Sequence, residues 1–201
     1  MASTSESGRQ RAASPRSTRP TSPQHRRQLG TATTRSSVIT PEFDIVHHPI
    51  RDTVWIVSAL LSLMAHKNDG QYNPLVDPIT PFHSRAVPRI SIEAYLTRIL
   101  QFIPFTNEVL LNVLVFLDRI GGLAPNGFRV NSFNIHRLLI TCLMVAAKFT
   151  SDLFYSNARY AKVGGLSLPE LNQLELVFLF TTQFDLNVKE EELQRVGNAL
   201  L

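Results

Sequence analysis

The chain has 201 residues, a net charge of +4 and a single cysteine. That length holds one domain with a tail or two very small domains. A lone cysteine excludes an intrachain disulfide framework or a cysteine-built zinc site, and it fits a reducing compartment.

Residues 1–40 contain seven Arg against one acid, Glu6, so this stretch carries +6 and leaves −2 for residues 41–201. The basic balance therefore belongs to the N-terminal stretch alone. Fifteen of these 40 residues are Ser or Thr, none is aromatic, and only Met1, Leu29, Val38 and Ile39 are larger apolar residues. So little apolar surface does not offset the entropy of ordering, and a disordered basic Ser/Thr/Arg-rich tail is expected. Ser14-Pro15, Ser22-Pro23 and Thr40-Pro41 read either as proline-directed phosphorylation sites or as plain solvated dipeptides. No apolar segment of the secretory kind opens the chain, and Pro15, Pro20 and Pro23 oppose the amphipathic helix of a mitochondrial transit peptide. Cytoplasm or nucleus is the expected location.

Residues 41–88 read as an N-terminal helix and a Pro-rich connector. Asp52 and Thr53 offer a helix start, Asn68 and Gly70 a stop near His66. The longest apolar-leaning run, Val54–Ala65, spans 12 residues and is broken by Ser58 and Ser62, against about 20 needed to cross a membrane. Pro74, Pro78, Pro81 and Pro88 then make 71–88 extended. In residues 89–201 Ile92, Tyr95, Leu96, Ile99, Leu100 and Ile103 keep the i, i+3, i+4 rhythm of a helix, which Pro104 ends. Leu110, Val113, Leu114, Leu117 and Ile120 repeat it, with Gly121-Gly122 as the stop. Ser132 or Asn131 is positioned to cap a helix striped by Ile135, Leu138, Leu139, Cys142, Leu143 and Ala146. Ser167-Leu-Pro-Glu170 has capping-box spacing and opens a helix to about Gln183. A last helix follows Lys189 and Glu190. No strand alternation persists, so the expectation is an all-α bundle of about six helices, with the two most apolar ones, 131–150 and 167–183, at its centre.

Enzyme signatures are missing. Gly164-Gly165 follows no strand and lacks the Gly-Lys-Ser/Thr element of a phosphate loop. His47-His48 lies beside Pro49 with no nearby Cys or carboxylate cluster of ligand spacing, so it reads as a surface loop rather than a metal site. Cys142 faces the core as an inert packing residue, and His136 is expected to make a structural hydrogen bond. No cofactor or metal is expected. Asp118 reads as the partner of Arg98 in a pair that sets helix register.

Lys148 and Glu175 are charges on otherwise apolar helices, so each needs water or a partner. They either pair with each other or face outward to another protein. The segment between them, read as a loop, gathers Asp152, Tyr155, Asn157, Arg159, Tyr160 and Lys162. Tyr and Arg are typical interface anchors, which favours the outward reading.

YLTRI at 95–99, FLDRI at 116–120, NSFNIHRLLIT at 131–141 and AAKF at 146–149 resemble a cyclin box. YSNARYAKVGGLS at 155–167, LNQLE at 171–175 and FDLNV at 184–188 resemble the phosphate-signalling cyclins, called P-type or U-type. The resemblance covers roughly residues 50–198. It implies a five-helix box with one preceding helix, residues 89–201 being the single box, and no second box as in mitotic cyclins. It also implies a non-catalytic subunit that activates a cyclin-dependent protein kinase in cell-cycle or phosphate-responsive signalling. Lys148 and Glu175 match, by position and motif, a Lys near the end of the third box helix and a Glu in the fourth that contact the kinase in cyclins generally. Two other readings remain: a cyclin-box transcription factor that touches DNA, and a helical adaptor for non-kinase partners. The net negative charge of residues 41–201 weighs against nucleic acid.

Overall fold

The computed structural model describes residues 41–73, 75–123, 128–152 and 154–201. The expected disordered tail, residues 1–40, lies outside the described residues. Seven helices and no strand occur among the described residues: α1 Ile50–Asp69, α2 Ile92–Phe102, α3 Asn107–Leu123, α4 Ile135–Thr150, α5 Asn157–Gly164, α6 Leu168–Thr181 and α7 Glu190–Asn198. The all-α expectation holds. The count exceeds it by one, because 157–164, read as part of a loop, is helical.

Every residue of α4 from Leu138 to Ala147 is buried, as befits a helix apolar all round at the centre of a bundle. It packs on α3, α5 and α6, while α3 also meets α1 and α7. The second central helix is α3, whose buried side chains run from Asn107 to Ile120. The expectation for α6 is corrected: only Leu171, Leu174 and Phe178 are buried there. Cys142 is fully buried, and burial pushes its thiol pKa well above the ordinary range.

Capping follows local chemistry with two departures from expectation. Asn134, not Ser132 or Asn131, is the N-cap of α4. Asn131 and Asn134 instead lock the preceding turn, through Asn134 Oδ1 to the Asn131 N–H (2.8 Å) and Asn131 Oδ1 to the Phe133 N–H (3.0 Å). Ser132 donates to Asp69 at the end of α1 (2.5 Å). The capping box of α6 is half formed: Ser167 Oγ accepts from the Glu170 N–H (3.3 Å), but the Glu170 carboxylate pairs with Arg137 on α4. Helix α3 runs through Gly121-Gly122 to Leu123.

Gly164 is explained by packing and Gly165 by its backbone conformation. A Cβ on Gly164 would lie 2.8 Å from Ile140 Cγ1, so its absence lets α5 close on α4. Gly165 caps α5 at φ +74°, where only glycine is unstrained. His136 makes the expected structural bond: Nε2 donates to the Ile90 carbonyl (2.9 Å), and burial lowers its pKa.

The segment before α1 is tied down. Asn107 at the start of α3 is buried. It accepts from Thr53 Oγ1 (2.8 Å) and donates to the carbonyls of Ile45 (3.1 Å) and His48 (2.7 Å). Phe43 packs with Leu111 and Leu193. Its N–H donates to Asn198 Oδ1 (2.8 Å), and its carbonyl accepts from Gln194 Nε2 (2.8 Å). No described helix is long and apolar enough to cross a membrane.

Candidate partner-binding site

Lys148 lies in the last turn of α4, where a cation suits the negative end of the helix dipole. Glu175 is mid-way along α6. The structure joins them: Lys148 Nζ donates to Glu175 Oε1 at 2.6 Å. Of the two arrangements weighed from the sequence, the internal pair is the one formed, so the exclusively outward reading is corrected. The pair is nevertheless open to solvent, with side-chain exposures of 27% for Lys148 and 17% for Glu175. The other carboxylate oxygen, Oε2, accepts from Asn157 Nδ2 (2.8 Å), which also donates to Asn172 Oδ1 (2.8 Å). Asn157 is the first residue of α5. One side-chain network thus joins α4, α5 and α6, and part of the Lys148 ammonium remains uncommitted.

Apolar side chains adjoin this network in sequence and face solvent. Phe149 follows Lys148, Leu176 follows Glu175, and both are more than half exposed, as are Phe154, Phe180 and Phe184. The rings of Phe180 and Phe184 meet edge to face at 5.4 Å. Phe184 is held at φ +59° beside Gln183 at φ +54°. Two successive non-glycine residues in the left-handed region are costly, by roughly 1–2 kcal/mol each. Exposed apolar clusters of this kind mark interaction surfaces.

The other residues singled out from the sequence scatter. Asp152 is exposed and takes no ion pair among the described residues. Tyr155 is half-buried, its ring 4.0 Å from the Arg159 guanidinium carbon. Tyr160 is corrected from surface to core: it is 2% exposed, and burial, then the charge of Tyr155, pushes its pKa up to about 12. Once 157–164 is a helix, Tyr160 and Ala161 lie on its inner face. Lys162 is exposed on another side of α5, in a cleft with Arg98 and Phe102 of α2. No pair joins Asp118 to Arg98, both of which are exposed. The cross-helix role falls to Arg119, the next residue on α3. It donates to the carbonyls of Asp185 (2.9 Å) and Asn187 (2.9 Å) and pairs with Glu192 on α7 (3.2 Å).

The cyclin family model matches residues 8–186, and the chain belongs to the cyclin family. It is 45% identical over 158 residues to the PHO85 cyclin-like protein psl1 of Schizosaccharomyces pombe, covering 73% of this chain and 65% of that protein. To PHO85 cyclin-7 of Saccharomyces cerevisiae it is 41% identical over 178 residues, 78% of this chain and 62% of the relative. Cyclin-U4-1 of Arabidopsis thaliana is 45% identical over 134 residues, 66% of either chain. The chain spans a little under two thirds of the length of these relatives. The P-type or U-type resemblance is borne out. Within the box counted from α2, Lys148 is on the third helix as expected. Glu175 is on the fifth rather than the fourth, because α5 intervenes.

Proposed function

We propose that this chain is the regulatory cyclin subunit of a cyclin-dependent protein kinase, itself without catalytic activity. The observation that carries the reading is α6, an apolar helix buried on one side only. A stretch of helix that is apolar all round, as α6 is from Leu176 to Phe180, belongs in a core, yet Leu176 and Phe180 are exposed on the helix that carries Glu175. A partner surface completes that burial. Membership of the cyclin family, and two relatives named as PHO85 cyclins, support a kinase as the partner.

A kinase works when the Glu of its C-helix pairs with the Lys of its third strand. A rigid apolar surface packed on that helix favours the inward position by differential contact. Phe149, Phe180 and Phe184 supply the burial in this reading, and Lys148 with Glu175 sets register by charge-assisted bonds to the kinase backbone. Because the pair is formed in advance, little side-chain entropy is lost on docking. Asp152, Tyr155 and Asn157 border the same surface. Input from phosphate status or the cell cycle, and residence in cytoplasm or nucleus, belong to the same proposal.

The test mixes the purified chain with a purified cyclin-dependent kinase catalytic subunit of the kind the PHO85 cyclins serve, and follows complex formation and transfer of phosphate to a protein substrate. A stoichiometric complex with raised phosphotransfer is expected. No complex at micromolar concentrations, or a complex that leaves the kinase idle, overturns the reading.

A further inference from the structure

The cleft between the C-terminal end of α2 and the outer side of α5 is lined by Arg98, Phe102, Arg159, Lys162 and Val163 and has a volume of about 450 Å³. Three cations share it, and none has an acidic partner within ion-pair distance among the described residues. This is not a reflection of a basic domain, since residues 41–201 carry a net −2. Like charges gathered without a counter-charge repel one another, so the arrangement gains when an anion enters.

The cleft is also organised. Arg159 donates from Nε (3.2 Å) and Nη2 (2.6 Å) to the Phe102 carbonyl, and its guanidinium lies over the Tyr155 ring. Those contacts fix the planar group and leave Nη1 free to donate. Arg98 and Lys162 are exposed and take no ion pair among the described residues. Between the cations lies Phe102, an aromatic ring half exposed at the end of a helix. An isolated inorganic anion has no use for that ring. A peptide bearing a phosphate beside an apolar side chain uses both features.

We propose that this cleft docks a phosphorylated segment of another protein, its phosphate held by Arg98, Lys162 and Arg159 Nη1 and a neighbouring apolar side chain set on Phe102. Arg clusters are the general solution for phosphopeptides, because a dianionic phosphate offers three acceptor oxygens to forked donors. The unphosphorylated N-terminal stretch of this chain, at +6, is repelled by the same cations and is not the occupant. Neither Lys148 nor Glu175 lines the cleft, so the assignment is tested without a kinase present.

The experiment measures fluorescence anisotropy of a labelled nine-residue peptide, with one phosphothreonine flanked by leucines, on the full chain. Its unphosphorylated and Glu-substituted twins, and inorganic phosphate, serve as competitors. Binding of the phosphopeptide at least tenfold tighter than either twin is expected, with a loss of tenfold or more in Arg98→Glu and Lys162→Glu variants that melt like the parent. Phe102→Ala is expected to lose several-fold for this peptide and nothing for one with glycine flanks. Equal binding of the Glu twin, or displacement by inorganic phosphate at matching concentration, overturns the assignment. Undiminished binding in the charge-reversed variants also overturns it, giving the peptide to the Arg-rich residues 1–40.

Discussion

Two of the ion contacts that cross between helices among the described residues, Arg119–Glu192 and Lys148–Glu175, are built differently. Arg119 reaches from α3 to the start of α7, where two backbone carbonyls and the Glu192 carboxylate occupy its donors. Lys148 reaches from α4 to α6 and spends one proton on Glu175. Exposed apolar side chains adjoin the second contact in sequence, at Phe149 and Leu176. Arg119 is bonded to three groups of the fold and holds it together, whereas Lys148 is bonded to one. On the proposed reading, that lightly bonded cation beside uncovered apolar side chains is the one left for a partner.

Lys148→Ala breaks the comparison most directly. Complex formation with the kinase subunit is expected to weaken by about 3 kcal/mol, as hot-spot truncations do. Folding stability should fall by only about 1 kcal/mol, because the pair is partly exposed and Glu175 keeps Asn157. A stability loss equal to the binding loss, by urea unfolding against calorimetric titration, would make the pair purely structural. The swapped variant Lys148→Glu with Glu175→Lys sharpens the point: melting should return to near the parent while binding stays weak. Recovery of both would sink the register role. Arg119→Ala orphans two carbonyls, and about 2 kcal/mol of stability should go. Affinity of the folded fraction should be unchanged, and weakened binding after correction for unfolding would erase the distinction between the two contacts. The smallest effect is expected from Gln183→Gly. Relief of the left-handed φ should add about 1 kcal/mol of stability, and a lowered melting temperature would show that the turn is held by its side chain.

Long periodic segments were legible in the sequence, and short or polar ones were not. The stripes of α2 and α3 and the cap Ser167 announced themselves because period and capping chemistry are local. Helix α5 has eight residues, too few for a periodicity to stand out, and its Asn-Ala-Arg start reads as loop. Missing it put Tyr160 on the surface and Glu175 on the wrong helix of the box. Asp118 was preferred to Arg119 because both flank the same apolar stripe. One residue is about 100° around a helix, and only the position of α7 decides which side chain is useful. Lys148 and Glu175 were found because a charge on an apolar helix needs an explanation. That they meet was open, since exposure and pairing are tertiary properties. Asn107 had no signal at all, its three partners being over fifty residues away.

Phe43 joins α7 through both its N–H and its carbonyl, and a side chain on Gly197 would collide with its ring at 2.8 Å. The entry and exit of the folded region are therefore stitched together. A segment attached ahead of Glu42 and another attached behind Asn198 start from the same spot, as if from one stem. Two such segments meet at an effective concentration on the order of mM, whatever each binds alone. Joining residues 42 and 198 by a short linker and opening the chain in the 71–88 connector should yield a circular permutant with the same core, since the native stitching already closes the loop.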